Sequence, residues 1–205
     1  MKNSIFLIIL LALTVLGCGQ HGSKSTSVKT DTITGTNNDR EQIENLVKQV
    51  LKWHDNNGTY TGFEPNFNPN DSMVTGMNLD TLKKELNRLK ESNLFDKEFI
   101  DNYNTIVLTI DRKIKNKEIE WMDGDMPPYA GADPWCDCQD IPYDNPWDQI
   151  EFNFLSLDNE NAVLTWTWGH SDWSKDFNYK VKAKKSGDTW KISYLQGFDI
   201  NDFIK

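Results

Sequence analysis

The sequence has little basic charge and few of the residues from which catalytic or metal sites are usually built. Of 205 residues, 22 are Lys or Arg against 31 Asp or Glu, and there are only three Cys and three His. A net charge of −9 argues against nucleic acid and against anionic lipid headgroups as partners, since both attract basic surfaces. The chain also has no CxxC motif, no nucleophile elbow and no internal repeat, so redox, hydrolase and repeat-protein classes gain no support.

Long apolar runs are missing everywhere except at the start. Ile5 to Leu16 is apolar apart from Thr14, and it follows the basic residue Lys2. This run is too short for a spanning helix and is typical of the apolar region of a signal peptide.

The run ends in Val15-Leu16-Gly17-Cys18, which resembles the bacterial lipoprotein cleavage box. In lipoproteins the cysteine becomes the new N-terminus and carries the acyl chains. We therefore predict a signal peptide over residues 1–17, lipidation at Cys18 and a lipid-anchored protein of the cell envelope. An ordinary secretory signal with a chance cysteine is the alternative. Gly19 favours the outer membrane, facing the periplasm or the surface, if the cell is Gram-negative.

Residues 18–36 are rich in Ser, Thr, Gly and Lys and predict the lipidated end and a flexible tether. Without Lys2 the remaining chain has a charge of −10, so the acyl anchor, not the protein surface, provides the membrane contact. Residues 37–205 are long enough to bury a substantial core as one domain.

Three helices are predicted in the first half of this domain. Asn38 or Asp39 caps the first, Asn78 or Asp80 begins the second, and Asp96 caps the third. Their apolar residues recur every three or four positions, which places one face of each helix in a core. The stripes are Ile43, Leu46, Val47, Val50, Leu51 and His54; Leu79, Leu82, Leu86 and Leu89; and Phe99, Ile100, Tyr103, Ile106, Val107, Ile110 and Ile114. Between the first two helices, Asp55 to Asp71 predicts turns throughout.

After residue 149 the apolar period changes to two, which predicts β-strands. Four alternating runs, around Phe152, Trp166, Val181 and Ile192, are joined by short turns. Helices followed by strands predict an α+β fold, with N-terminal helices packed on an antiparallel sheet.

This order resembles the nuclear-transport-factor-2-like, cystatin-related cone. The resemblance of this order to known cone folds implies that the sheet is curved and cone-like, with four or slightly more strands. A closer resemblance is to the bacterial domain-of-unknown-function family 3828, which includes YbjP-type lipoproteins. It is carried by Leu94 to Tyr103, by Asp133-Pro134, by Gln139-Asp140-Ile141-Pro142 and by the Trp190 strand. The resemblance implies this fold and a lipoprotein habit, and it implies no activity or catalytic residues.

The stretch from Trp121 to Trp147 combines six Asp, five Pro and three Trp with no Lys or Arg. Proline disfavours helix here, and the aromatic content argues against disorder, so a functional loop is indicated. We predict that its carboxylates and exposed tryptophans contact a basic surface of an envelope protein. The candidates are Asp123, Asp125, Trp135, Asp137, Asp140 and Trp147. Calcium is the possible cofactor, but structural turn caps explain the Asp residues better, Asp140 above all.

Cys136 and Cys138 leave three interpretations open. An oxidising compartment favours a disulfide between them. A soft metal site completed by His170 or a nearby Asp, and two thiols that are free or paired between molecules, are the alternatives.

The aromatic face of the sheet suggests a second hypothesis, a ligand pocket in the cone. Its candidates are His54, Tyr103, Trp166, Trp168, Tyr179 and Trp190. A small-molecule carrier or an isomerase or hydratase would need such a pocket, whereas aromatic residues of this kind also simply fill cores. The non-catalytic interaction module is the preferred hypothesis.

Overall fold

The computed structural model describes residues 33–57, 63–125, 127, 131–141, 144–169 and 177–203. Contacts join Asp31–Lys205 into one unit. Its helices are α1 (Asn37–Asn57), α2 (Leu79–Ser92), α3 (Lys97–Lys115), α4 (Pro146–Gln149) and α5 (Ile200–Phe203). Its strands are β1 (Pro65–Phe67), β2 (Val74–Met77), β3 (Glu151–Leu157), β4 (Asn161–Thr167), β5 (Tyr179–Ser186) and β6 (Thr189–Leu195).

The α+β prediction is confirmed. Strands β3 to β6 form one antiparallel sheet in sequence order, and the sheet is open rather than closed into a barrel. Register shifts interrupt the pairing near Phe154 and near Lys182, and irregularities of this kind bend strands. Two short turns, at Asp158 and at Gly187, join neighbouring strands, as the spacing of the alternating runs predicted.

The caps of α2 and α3 follow the prediction. The side chain of Asn78 accepts a hydrogen bond from the backbone N–H of Thr81, and the side chain of Asp96 accepts one from Glu98. The apolar stripe of α1 is also buried as predicted, including His54. The α3 stripe is buried as well, and so are Leu82 and Leu89 of α2. Leu79, predicted on the same face of α2, is 43% exposed at the first residue of that helix, which is a correction.

The cap of α1 was predicted one turn too late. The helix begins at Asn37, and Thr36 and Asp39 exchange hydrogen bonds: the hydroxyl of Thr36 accepts from the backbone N–H of Asp39, and the carboxylate of Asp39 accepts from Thr36. This is a capping box with Asp in place of the usual Glu or Gln.

Both edges of the sheet carry short parallel additions. At one edge the backbone N–H groups of Thr34 and Gly35 donate to the carbonyl of Leu157. At the other, Asp96 and Leu94 exchange backbone bonds with Ile192. Contacts with the sheet therefore begin before the predicted domain start at residue 37, and both edge strands are partly protected from further pairing.

The segment predicted as turns contains a strand, which is a correction. β1 pairs antiparallel with β2, and the backbone of Trp121 and Asp123 bonds to the other side of β2 at Val74 and Ser72. Strands of three and four residues are too short to show an alternating pattern, and the residues around β1 favour turns, so the sequence did not indicate this pairing.

The core lies between the helices and the inner face of the four-stranded sheet. Its largest fully buried side chains include Trp166, Trp168, Tyr179, Phe99 and Phe198. None of the helices within the described ranges is both long and apolar enough to cross a membrane.

Candidate functional site

The loop from Trp121 to Trp147 is divided between two places in the fold. Its first part lies along β2, where the carboxylate of Asp125 accepts a hydrogen bond from the backbone N–H of Met122 at 3.2 Å. Asp123 bonds through its backbone to Ser72 and is exposed. Asp125 therefore closes a turn, which is the structural role that the sequence favoured over calcium binding.

The second part forms a tight turn over residues 133–138. The backbone N–H of Asp133 donates to the carbonyl of Cys138 at 2.9 Å, and that of Asp137 donates to the carbonyl of Asp133 at 2.7 Å. A carboxylate oxygen of Asp133 also accepts from the N–H of Trp135 at 3.0 Å. Inside this turn a disulfide joins Cys136 to Cys138, with their Cα atoms 5.1 Å apart.

A histidine at the end of α1 binds this turn through a hydrogen bond and a ring contact. His54 Nε2 lies 3.0 Å from a carboxylate oxygen of Asp133, and its ring stacks on Trp135 with centroids 4.8 Å apart. His54 is only 4% exposed. The pair links the last turn of α1 to the Asp-Pro segment, which is the structural role that the sequence indicated for that segment.

A tyrosine of β5 holds the turn from the sheet. The buried hydroxyl of Tyr179 donates to the carbonyl of Pro134 at 2.6 Å and accepts from the N–H of Gly197 at 3.1 Å. Burial raises the pKa of Tyr179 well above its usual value, and the negative charges of Asp137 and Asp133 add to that shift. The phenol therefore stays neutral and serves as a fastener.

Gly197 is required at this point because the turn leaves no room for a side chain. A Cβ atom there would lie 2.0 Å from the carbonyl oxygen of Pro134. Beside it, the side-chain amide of Gln196 donates to the carboxylate of Asp137 at 3.4 Å. The short 3-10 helix Gln196–Phe198 therefore packs directly against the turn.

Two tryptophans expected on the surface are buried, which corrects the prediction. Trp135 is 4% exposed and packs against Trp53, Phe95, Phe99 and Phe198 as well as His54. Trp147 packs against Trp166 and Trp168, and its indole N–H donates to the carboxylate of Asp55. Aromatic content alone does not distinguish an interface residue from a core residue.

What the turn presents to solvent is acidic. Asp137, Gln139, Asp140 and Ile141 are exposed, and we name these four residues the acidic loop surface. Ile141 is 51% exposed, the largest value among the described hydrophobic side chains. Asp140, expected to be structural, has no hydrogen bond or ion pair within the described ranges; Asp133 has that role instead.

The six pocket candidates lie in the core and not around one cavity. Tyr103 packs on Phe63 and Phe198, while Trp166, Trp168 and Tyr179 pack among themselves and with neighbours. Of three surface grooves on the described part of the chain, one includes a candidate, Trp190. Its indole N–H donates to the carboxylate of Asp39 at 3.0 Å, so the ring is held in the structure.

Sequence reasoning missed Asp39 and the histidine contact of Asp133. Asp39 was considered only as a cap, and the sequence holds no signal that Trp190 lies beside it. For His54, the position on the apolar stripe of α1 was a signal that its polar atoms need a buried partner.

No group of three or more His, Cys, Asp or Glu side chains with metal-binding geometry occurs within the described ranges. Cys136 and Cys138 bond to each other. His170, proposed as a further ligand, lies outside the described residues, as does Cys18.

A scan of the chain against protein-family models, a search of curated proteins and a search of solved structures each found no match. The resemblance to the domain-of-unknown-function family therefore stays a prediction.

Proposed function

We propose that this protein is a lipid-anchored, non-catalytic interaction module of the cell envelope and that its acidic loop surface binds a basic protein partner. The proposal differs from the sequence hypothesis in one respect. Carboxylates and Ile141, not Trp135 and Trp147, make the contact. The observation that carries it is an exposed apolar side chain flanked by exposed carboxylates on a turn that is fastened to the core.

The charge around this surface supports a basic partner. From Glu118 to Ser174 the sequence contains thirteen Asp or Glu and no Lys or Arg. Such a one-sided distribution steers a partner of opposite charge and raises its association rate. Ile141 would supply the apolar centre that most interfaces have.

The rigidity of the turn also supports recognition. His54, Tyr179 and Gln196 hold it from three elements, and the disulfide closes it. A surface that is already ordered loses less conformational entropy on binding. A turn that is ordered before binding is therefore suited to specific recognition by a protein partner.

One observation favours the alternative, a small-molecule enzyme. His54 and Asp133 are within hydrogen-bond distance, as a general acid–base pair would be. However, Trp135 stacks on the His54 ring, and His54 is only 4% exposed, so the pair has little room for a substrate. The binding module is the better-supported function.

The test is site-specific photocrosslinking of the intact lipoprotein in its membrane, with a photoreactive amino acid at position 139 or, as a control, at position 122. We expect a defined protein adduct from position 139 and none from position 122. The yield of the adduct should fall by about tenfold between low and high salt, since charge provides much of the attraction.

The chain offers a matched control pair of substitutions. Asp140→Asn with Ile141→Ser should abolish the adduct, whereas Asp123→Asn with Met122→Ser should leave it unchanged, because Met122 is 46% exposed beside an exposed Asp but lies along β2. An adduct that persists in the first double variant, or is lost equally in both, would exclude the acidic loop surface as the contact.

A further inference from the structure

The disulfide of the acidic turn is accessible from one side only. Cys136 is 3% exposed, whereas Cys138 is partly exposed. Because Cys138 is the more exposed residue of the two, we infer that an incoming thiolate attacks Cys138 Sγ along the axis of the S–S bond and that Cys136 Sγ is the departing atom. The fold therefore decides which of the two sulfurs reacts.

The ring that this disulfide closes is very small. The two cysteines are separated by one residue, Asp137, which has a left-handed backbone with φ of 52°. That conformation disfavours most side chains and is tolerated best by Gly, Asn and Asp. Disulfides in small rings with at least one accessible cysteine are opened by thiols more readily than the fully buried disulfides of secreted domains.

We propose that Cys136–Cys138 is a thiol–disulfide exchange site that reacts with neutral or cationic thiols in preference to anionic ones. Two carboxylates of the turn, Asp133 and Asp137, and a third just after it, Asp140, belong to a stretch of sequence with no Lys or Arg, so an anionic thiol is repelled on approach. This activity is independent of the partner binding proposed above, because it concerns small thiols and needs no protein ligand.

The exchange proceeds in two balanced steps. A thiolate attacks Cys138 Sγ, a mixed disulfide forms there, and the S–S bond breaks with its electron pair on Cys136 Sγ. That sulfur takes up a proton and has an acceptor at hand, because the carbonyl oxygen of Asp133 lies 3.9 Å away. A second thiol then attacks the mixed disulfide, so two thiols are oxidised to a disulfide and both cysteines are reduced.

The experiment measures reduction of the mature, full-length lipoprotein in an uncharged detergent. Cysteamine, 2-mercaptoethanol and glutathione are compared at equal thiolate concentration, with alkylation and peptide mass spectrometry to follow Cys136 and Cys138. At low ionic strength we expect cysteamine to react about tenfold faster than glutathione, with 2-mercaptoethanol between them. High salt should lower the ratio of the cysteamine rate to the glutathione rate to about threefold, because it screens the carboxylates.

Charge-removing substitutions make the test specific. Asp137→Asn keeps a residue that tolerates the left-handed backbone and should speed the glutathione reaction by about threefold without changing the cysteamine rate. Asp123→Asn, which removes a charge beside β2, should change neither rate. Fluorescence of Trp135, identified with a Trp135→Phe variant, provides a second readout of opening.

Three results would each overturn the proposal. The first is alkylation of both cysteines before any thiol is added, which would mean that no disulfide exists. The second is a pair that is reduced only after the protein is unfolded in denaturant. The third is equal rates for cysteamine and glutathione in both the parent chain and the Asp137→Asn variant.

Discussion

At the scale of single residues, Asp39 is a buried carboxylate that connects the first helix to the sheet. Although it lies at the start of α1, it is buried and accepts hydrogen bonds from Lys185 at 2.7 Å, from Trp190 at 3.0 Å and from the hydroxyl of Thr36 at 2.7 Å. The bond from Lys185 is the largest cause that holds the pKa of Asp39 well below its usual range, followed by those from Thr36 and Trp190. One side chain thus joins the first helix to β5 and β6.

We expect Asp39→Ala to lower the free energy of unfolding by about 1–3 kcal/mol, because it leaves the Trp190 indole and the α1 cap without an acceptor. The low folded-state pKa of Asp39 stabilises the protein at pH values above about 4, near the unfolded pKa, and that contribution is lost as pH falls toward the folded pKa. Urea unfolding between about pH 2 and 7 measures both effects.

Asp39→Asn separates charge from shape. It keeps an acceptor oxygen but should lose the part of the acid dependence that Asp39 contributes. Glu41→Gln, on an exposed position of the same helix, should leave the acid dependence unchanged. An Asp39→Asn variant with the same stability profile as the parent chain would contradict the role assigned to Lys185.

At the scale of elements, the turn over residues 133–138 is positioned by groups from both halves of the fold. Tyr179 is on β5, Gly197 is in the 3-10 helix after β6, and His54 is in α1. The acidic loop surface is therefore held by the contact between helices and sheet. A substitution at any of these residues should therefore alter the position of the acidic loop surface.

We expect Gly197→Ala to destabilise the protein by about 1–3 kcal/mol, since a Cβ atom would meet the carbonyl of Pro134 at 2.0 Å and the backbone must move. Gly131→Ala, two residues before Asp133, is the control, because a Cβ atom there meets nothing within 4 Å. Thermal unfolding of both variants measures the difference. Equal effects of the two substitutions would show that the close approach at Gly197 has no energetic consequence.

At the scale of the whole molecule, an α+β domain carries an acidic turn on one side, and the sequence predicts that it is tethered to a lipid. The described part contains no helix that could span a membrane. Separately, the lipoprotein-like sequence ending in Cys18 predicts that the acyl group makes the membrane attachment.

We expect Cys18→Ala to move the protein from the membrane fraction to the soluble fraction, measured by fractionation and immunoblotting. Attachment through an acyl chain is insensitive to ionic strength, so the prediction also requires that high salt does not release the parent chain. An unchanged membrane fraction in the variant would contradict lipidation at this residue. Release of the parent chain by salt alone would do the same.

The helices and the sheet were largely predictable because their signals are local. Asn78 and Asp96 cap helices within two or three residues of themselves, and the alternation around Trp166 shows one strand without reference to any other. β1 and β2 were not predictable, because each is too short to show a period. The exposure of Trp135 and Trp147 was predicted wrongly, because nothing local tells which loop tryptophan meets the core.

By itself, the sequence determined the α+β class, the apolar faces of three helices, and the concentration of carboxylates in one stretch. Only the tertiary structure decided the use of that stretch. It brought Tyr179 to Pro134 across 45 residues, His54 to Asp133 across 79 and Asp39 to Trp190 across 151. Periodicity and charge are properties of neighbouring residues, whereas a buried polar group is satisfied by whichever partner the packed core places within about 3 Å.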